Sequence, residues 1–275
     1  MSADIVRRDR QPGLTTIASA FSRASGTQKA ALMPYYTLGY PDAETSLDII
    51  EAIAPFSDLV ELGVPFSDPI ADGPTIQRST QRALEAGITT AACLDMVREL
   101  RSRGVKVPFL MMGYYNPVLA FGEDRYAAAL SDAGADGLIV PDLPPEESGN
   151  LRKRCQELGV ALISFVAPTS NEKRIKLVIE GASGFIYMVS VTGVTGARRR
   201  MSSELSEFVS SIKSQTDIPV AVGFGISTPE QASSIGEYAD GIIVGSALIN
   251  AVDSSENKPA TAADFVAKFQ EALKL

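Results

Sequence analysis

Eight short apolar runs recur along the 275-residue chain, and amphipathic stretches separate them. Most of these runs are continuous rather than alternating, as expected of parallel strands covered on both faces. The runs are residues 32–37, 59–64, 107–113, 137–141, 161–166, 185–191, 218–223 and 241–245. Strand–helix alternation repeated eight times, in a chain close to the roughly 250 residues typical of such barrels, predicts an α/β fold, a (β/α)8 TIM barrel, rather than an open sheet. The segment after the first run, residues 37–41, also lacks the Gly-rich fingerprint of a doubly wound sheet.

The intervals between the runs show helical spacing, most clearly in residues 45–54, 89–103, 146–158 and 204–214. Glycines that follow such stretches predict left-handed turns that end helices, at Gly104, Gly134, Gly159 and Gly181. One extra helix is predicted at residues 14–25, and a polar loop at 254–261 precedes a last helix at 262–275. We expect one domain over 1–275, with 1–13 as a flexible extension and long loops after strands two and six.

The composition excludes several function classes. A formal net charge of −8 argues against a nucleic-acid or anionic-membrane partner. No apolar stretch approaches the roughly 20 residues needed to cross a bilayer, and the N-terminus lacks the apolar core of a signal peptide. The two cysteines, Cys93 and Cys155, are read as reduced core thiols, so the expected location is the cytoplasm, or the plastid stroma in a plant-type organism.

The chain contains no histidine. It therefore cannot use a Ser-His-Asp or Cys-His mechanism, and it cannot build a His-ligated zinc site. No lysine falls at the C-terminal end of a predicted strand, which argues against a Schiff-base aldolase. A carbon–carbon lyase on this scaffold would have to work by acid–base catalysis, and we expect no metal.

Glu61 stands inside the second apolar run, where a carboxylate is costly unless it is paired, neutralised or used. If it points into the barrel, loss of water should raise its pKa toward the range useful for proton transfer. The alternative is a carboxylate satisfied by backbone N–H groups or a lysine. Because perturbed acids cluster at functional sites, we favour the functional interpretation.

The loop that follows, residues 65–74, carries two more acids, Asp68 and Asp72. Gly73 and Pro74 indicate a helix start, so Asp72 could simply favour the helix N-terminus. Asp68 could form an Asx-Pro turn. The loop alone leaves structural and functional interpretations of both acids open.

Two glycine-containing turns indicate a phosphate site. Residues 223–231 follow the seventh run and include a capped helix start, while Gly245 and Ser246 can open a helix after the eighth. Loops after strands seven and eight commonly bind phosphate in such barrels, although tight turns without a ligand remain the alternative. Residues 192–198 are a candidate lid. Tyr187 could point at the barrel centre or pack as a core aromatic.

Residues 59–77 closely resemble the signature of the alpha subunit of tryptophan synthase. The resemblance continues through residues 34–41, 142–144, 194–196 and 223–227. It implies cleavage of indole-3-glycerol phosphate to indole and glyceraldehyde 3-phosphate without a cofactor. It also implies a partner beta subunit that carries pyridoxal phosphate, in an alpha2-beta2 complex.

The resemblance also implies roles for individual residues. Glu61 would protonate the indole ring carbon that bears the side chain, and Asp72 would hold the indole N–H. Gly196, Gly225, Gly245 and Ser246 match positions around the phosphate. The apolar pocket would comprise Tyr35, Met112, Ile139, Phe165, Tyr187 and Phe224. Residues 191–193 depart from the family pattern, so lid closure could differ.

Three other functions are compatible with parts of this pattern. A stand-alone lyase that releases free indole would use the same residues. A non-catalytic subunit that only activates its partner is disfavoured by the intact Glu61 and Asp72. Other phosphate-binding barrels, such as sugar-phosphate isomerases, fit the physical arguments but not the signature.

Overall fold

The computed structural model describes residues 13–189, 198–223 and 225–275. Eight parallel strands form a closed barrel in chain order, and β8 pairs with β1. The (β/α)8 prediction is therefore confirmed. The strands are shorter than most of the predicted runs: β1 Ala31–Thr37, β2 Val60–Gly63, β3 Phe109–Met112, β4 Gly137–Ile139, β5 Ala161–Val166, β6 Ile186–Val189, β7 Val220–Gly223 and β8 Gly241–Val244.

Helices surround the barrel and cover one end of it. Their bounds are α1 Gly13–Ser25, α2 Ala43–Ile53, α3 Pro74–Glu85, α4 Thr90–Ser102, α5 Tyr115–Phe121, α6 Glu123–Ala133, α7 Gly149–Glu157, α8 Glu172–Gly181, α9 Arg198–Lys213, α10 Pro229–Gly236, α11 Ser246–Asp253 and α12 Lys258–Leu273. A short 3₁₀ helix, Ala54–Phe56, follows α2. Helix α1 confirms the extra N-terminal helix.

The predicted helix starts follow local chemistry. Gly73 is the N-cap of α3, with Pro74 at its first position. In α10, Thr228 and Gln231 form a reciprocal capping box. Helix α11 begins at Ser246, directly after Gly245. All three starts lie at the carboxyl end of the barrel, where they position the loops of the candidate site.

Two local predictions are wrong. The polar segment 254–261 is a loop only in its first part, because the Asn257 side chain caps α12 and Pro259 occupies its first turn. Gly181 does not take a left-handed conformation: it is the last residue of α8 and its φ is not positive, and the C-cap that follows it, Ala182, has φ −69°. The absent side chain of Gly181 instead makes room for Arg152, whose Nη1 lies 1.2 Å from where a Cβ would stand. Gly104, Gly134 and Gly159 do have positive φ, as predicted.

Helix α1 packs across the amino end of the barrel. Its Thr16 hydroxyl donates to Asp136 Oδ1 at 2.7 Å, directly before β4. Asp136 also accepts Arg101 Nη2 at 2.7 Å and the Phe109 N–H at 2.9 Å. Phe21 of α1 lies 5.6 Å from Phe185, ring centroid to centroid, at the start of β6. These contacts hold α1 over the amino end of the barrel, whereas the loops that follow the strands lie at the opposite end.

Two further features concern the surroundings of the chain. In the described ranges, no helix combines the length and apolarity that a membrane span requires. Cys93 and Cys155 are free and buried, as predicted. The extent of the domain over 1–275 and the flexibility of 1–13 stay predictions.

Candidate active site

The strand register gathers the predicted pocket residues on one face of the barrel. Tyr35 pairs with Glu61, Met112 with Ile139, and Phe165 with Tyr187 across neighbouring strands. Partners in register share a face, and residues two apart along a strand share it as well. The negative charge of Glu61 contributes to raising the pKa of both Tyr35 and Tyr187, although these residues lie on distant strands. The shared face is therefore the barrel interior.

Glu61 is buried inside the barrel, with 1% of its surface exposed. Within the described ranges, neither of its carboxyl oxygens has a hydrogen-bond partner. Burial raises the pKa of Glu61 to about 8, and the negative charge of Asp72 adds to the rise. The alternative of a carboxylate satisfied by backbone N–H groups or a lysine does not describe these surroundings. Glu61 holds its proton at neutral pH.

Asp72 lies in the loop between β2 and α3. The Tyr114 hydroxyl donates to Asp72 Oδ2 at 3.1 Å and accepts the Ala71 N–H at 2.9 Å. Gln77 Nε2 donates to the Asp72 carbonyl oxygen at 2.9 Å. Burial raises the pKa of Asp72 to about 6, although the Tyr114 hydrogen bond opposes the rise. Asp72 is thus mainly ionised near neutral pH.

Asp68 has a different environment from the other two acids. It is exposed, and its carboxylate accepts the Ser67 hydroxyl at 2.5 Å. Its carbonyl oxygen accepts the N–H of Ile70 at 2.9 Å, across Pro69. These contacts fit the structural interpretation of Asp68 as a turn residue.

Tyr114 is a site residue that the sequence interpretation missed. It is buried, and its ring lies 5.3 Å from that of Phe66, centroid to centroid. It stands two residues beyond the last residue of β3, which is where a barrel presents functional side chains. The position of Tyr114 just beyond a strand end could have marked it as a candidate. Its contact with Asp72, however, depends on how two separate loops meet.

Aromatic and aliphatic side chains line the interior beside Glu61. The rings of Phe165 and Tyr187 stack with centroids 4.8 Å apart. Met112 and Ile139 are buried. The Tyr187 hydroxyl lies over Gly223, where a Cβ would be 2.4 Å from it. Phe224 lies outside the described residues.

Three of the predicted phosphate residues, Gly225, Gly245 and Ser246, follow neighbouring strands, since β7 pairs with β8. Gly225 has φ +76° just beyond β7. Gly245 and Ser246 open α11 just beyond β8. Gly245 also gives the Tyr35 side chain room, because a Cβ there would stand 3.2 Å from both Cβ and Cδ1 of Tyr35. Gly196, the candidate lid at 192–198 and the departure at 191–193 fall outside the described residues, except that Arg198 begins α9.

The positions of the lysines and of the metal-ligating side chains bear on Schiff-base chemistry and on metal binding. Every lysine of the chain lies in a helix, beside one, or ahead of a strand, so none occupies the carboxyl end of a described strand. Among the residues with described positions, no cluster of three His, Cys, Asp or Glu side chains could hold a metal ion.

A buried carboxyl group that retains its proton inside a TIM barrel, with glycine-containing loops beyond β7 and β8, fits the class of barrel enzymes that work by acid–base catalysis. The sequence model of the tryptophan synthase alpha chain family matches residues 21–274. The chain belongs to this family.

Individual relatives agree with this assignment. The tryptophan synthase alpha chain of Chloroflexus aggregans is 48% identical over 87% of this chain and 90% of its own. That of Roseiflexus castenholzii is 48% identical over 92% of this chain and 98% of its own. Tryptophan synthase subunit alpha of Legionella pneumophila has a TM-score of 0.86 at 35% identity, covering 94% of this chain and 97% of its own. A structure of Mycobacterium tuberculosis tryptophan synthase has the same TM-score at 36% identity, with coverages of 94% and 98%.

Family membership makes the chain a carbon–carbon lyase of tryptophan biosynthesis. The reaction of the family, the alpha reaction, converts indole-3-glycerol phosphate to indole and glyceraldehyde 3-phosphate. A stand-alone lyase and a non-catalytic subunit are not favoured.

Proposed function

We propose that Glu61 is the general acid of the alpha reaction in this chain. The observation that carries this role is a carboxyl group inside the barrel with a pKa of about 8 and no hydrogen-bond partner within the described ranges. Such a group is protonated at neutral pH, and its proton is not committed to a neighbour. It would give that proton to the indole ring carbon that bears the glycerol phosphate side chain.

Asp72 would stabilise the charge that this step creates. Protonation of the ring carbon leaves a positive charge spread over the indole, including its nitrogen. An ionised carboxylate that accepts the indole N–H favours that state over the neutral ring. Glu61, now ionised, then takes the proton of the adjacent side-chain hydroxyl, so that the carbon–carbon bond breaks and its electrons return to the ring. The products are indole and an aldehyde, glyceraldehyde 3-phosphate.

The remaining predicted residues would bind the two ends of the substrate. Tyr35, Met112, Ile139, Phe165 and Tyr187 share the interior face with Glu61 and suit a flat apolar ring. Phe224 is proposed to join them.

The phosphate, at the other end of the substrate, would bind at Gly196, Gly225, Gly245 and Ser246. The α11 N-terminus directs backbone N–H groups and a partial positive charge at an anion there.

The partner proposed for the chain is a beta subunit that carries pyridoxal phosphate, in an alpha2-beta2 complex that receives the indole. Two large apolar side chains are exposed at the loop end of the barrel and would be covered by such a partner. Ile70 is 82% exposed in the loop after β2, and Leu119 is 52% exposed in α5. No cofactor is proposed for this chain itself. Its buried thiols suit the reducing cytoplasm, the proposed location.

The test is an indole-release assay on the purified chain, with and without the beta subunit. We expect Glu61→Gln to lower kcat by at least roughly 1000-fold and Asp72→Asn by roughly 100-fold, since each removes a transition-state interaction. Glu85→Gln, at an exposed glutamate at the end of α3, is the control and should match the wild type. Unchanged turnover in Glu61→Gln would refute the proposed acid. Failure to co-elute with a beta subunit would refute the partner.

A further inference from the structure

Helix α3 begins directly after the Asp72 loop, and its buried residues are all small: Ser79, Thr80 and Ala83. The Ser79 hydroxyl forms a hydrogen bond with that of Thr37 on β1 at 2.7 Å. Because small side chains bury little apolar surface, this packing holds α3 to the barrel weakly. Polar contacts with neighbouring elements therefore contribute more to the position of α3 than they would for a helix with large buried side chains.

The neighbouring helix α11 is packed more firmly. It begins at Ser246, directly after β8, and buries Leu248, Ile249 and Val252. Both β8 and β2 pair with β1, so α11 and α3 follow strands that lie on either side of β1. The N-terminus of α11 is where the phosphate is proposed to bind. Helix α11 can therefore act as a fixed support for α3 beside the candidate site.

Four polar side chains connect the two helices. Arg78 Nη2 of α3 donates to Asp253 Oδ2 at 2.8 Å and to Asn250 Oδ1 at 3.3 Å, both on α11. Thr75 Oγ1, in the first turn of α3, donates to Asn250 Oδ1 at 3.2 Å. The Tyr40 hydroxyl, in the loop after β1, also donates to the Asp253 carboxylate. We call the side chains of Thr75, Arg78, Asn250 and Asp253 the α3–α11 bridge.

The bridge lies close to the N-termini of both helices. Thr75 and Arg78 are three residues apart and share one face of α3, as expected for that spacing. Asn250 follows Ser246 by four residues, so it lies about 6 Å further along α11 on the same face. Thr75 itself comes three residues after Asp72 in the sequence. The bridge thus joins the start of α3 to the helix that begins at the proposed phosphate site.

Gln77 connects α3 back to the Asp72 loop. Its Nε2 donates to the Asp72 carbonyl oxygen at 2.9 Å. The Asp72 carboxylate meanwhile accepts the Tyr114 hydroxyl at 3.1 Å. The backbone of the loop is therefore attached to α3, whereas the Asp72 side chain is attached to the residue beyond β3.

We propose that the four residues of the α3–α11 bridge are positioning residues, which fix the spacing between Asp72 and the phosphate site at Ser246. The inference rests on the proposed function, in which these two positions bind opposite ends of the substrate. A substrate held at both ends reaches its reactive geometry only if the two sites keep the right separation. The bridge residues act through the two helices and not on the reacting atoms.

Arg78→Met tests the proposal, because methionine keeps an unbranched apolar side chain and removes the donors. The measurement is indole release from indole-3-glycerol phosphate and from indole-3-glycerol, which lacks the phosphate. It is made on the purified full-length chain without the beta subunit, so that docking cannot contribute. We expect kcat/KM for the phosphorylated substrate to fall by roughly 10-fold. For indole-3-glycerol it should change by less than about twofold, because this substrate does not engage the phosphate site.

Three further variants supply the comparisons. Arg82→Met, at an exposed arginine one turn further along α3, is the matched control and should equal the wild type with both substrates. Arg78→Lys should recover most of the loss, because a lysine ammonium can also donate to Asp253. Tyr114→Phe releases the Asp72 carboxylate itself, so it should lower kcat/KM for both substrates by similar factors. A loss of folded protein would also lower both, so a loss confined to the phosphorylated substrate is specific to the bridge.

Two results would overturn the proposal. Equal losses with the two substrates in Arg78→Met would mean that the bridge does not act on the spacing. No loss with either substrate would mean that packing alone fixes α3. Failure of the proposed function would appear separately, as unchanged turnover of indole-3-glycerol phosphate in Asp72→Asn, and it would remove the basis of this inference as well.

Discussion

The hydroxyl of Tyr114 binds Asp72 and its neighbour Ala71 at the same time. It donates to the Asp72 carboxylate at 3.1 Å and accepts the Ala71 N–H at 2.9 Å. One phenol beyond β3 thereby fixes both the side chain and the backbone of the loop beyond β2. The orientation of Asp72 thus depends on a residue 42 positions further along the chain.

Tyr114→Phe should lower kcat by roughly 10- to 100-fold, because a small displacement of a positioned group has effects of this size. It should also raise the pKa of Asp72 above its value of about 6, since the lost hydrogen bond lowers that pKa. The acidic limb of the kcat profile would move to higher pH. Tyr115→Phe is the matched control, because the neighbouring hydroxyl donates to Glu123 at 2.8 Å instead. Equal profiles for both variants would contradict the positioning role.

Glu61 should make the stability of the fold depend on pH. Its pKa rises from 4.5 to about 8 on folding, so the folded state binds the proton more tightly. The stability contributed by that proton is fully present below about pH 4.5 and is lost as the pH rises through about 8.

Glu61→Gln does not titrate at this position. Above about pH 8 we expect it to exceed the wild type in free energy of unfolding by on the order of 3 kcal/mol. Urea unfolding at a series of pH values measures the difference. A difference independent of pH would mean that the folded and unfolded states share one pKa at Glu61.

Gly63→Ala should destabilise the fold and reduce activity. The added Cβ would stand 2.0 Å from the Tyr35 hydroxyl and 2.5 Å from the adjoining ring carbon, so the ring would have to move. Overpacking of this kind costs about 1–3 kcal/mol. Gly149→Ala is the control, because no atom lies within 4 Å of where its Cβ would stand, at the start of α7. A Gly63→Ala protein as stable and active as the control would show that Tyr35 relocates freely.

Asp136→Asn should lower stability without changing kcat. The variant leaves Arg101, whose side chain is 16% exposed, without its buried carboxylate partner. Losing one member of a buried pair costs about 3–5 kcal/mol. The site is at the amino end of the barrel, away from the reaction.

Asp95→Asn, in an exposed ion pair with Arg98, is the comparison and should cost less than about 1 kcal/mol. Thermal unfolding measures the stability of each variant, and the indole assay measures its kcat. A fall in kcat for the folded Asp136→Asn variant would contradict the prediction, since it would show that Asp136 at the amino end affects the reaction at the carboxyl end.

Features set by local sequence were predictable. Apolar runs separated by amphipathic stretches predicted the barrel, and the alternation along β2 predicted which face Glu61 shares. Gly73 with Pro74, and Thr228 with Gln231, specify their helix starts within one turn. The pKa of Glu61 was expected to rise because an apolar strand offers a carboxylate no water.

Features that depend on contacts between distant segments were not predictable. Tyr114 acquires its role only when two loops meet, and Thr37 meets Ser79 only because α3 folds back over β1. Gly181 shows the same limit, since the residue that requires it to lack a side chain is Arg152 on another helix. Asn257 was misjudged for a local reason, because the polar residues of its segment suggested a loop although one of them caps a helix.

Helix α1 covers the amino end of the barrel. A molecule bound beside Glu61 has α1 beneath it, so its route to solvent runs through the opposite opening. Substrate arrival and product departure then share a single passage. A protein docked over that opening would control both substrate entry and product release. Indole would then pass from the barrel into the docked protein without first entering bulk water.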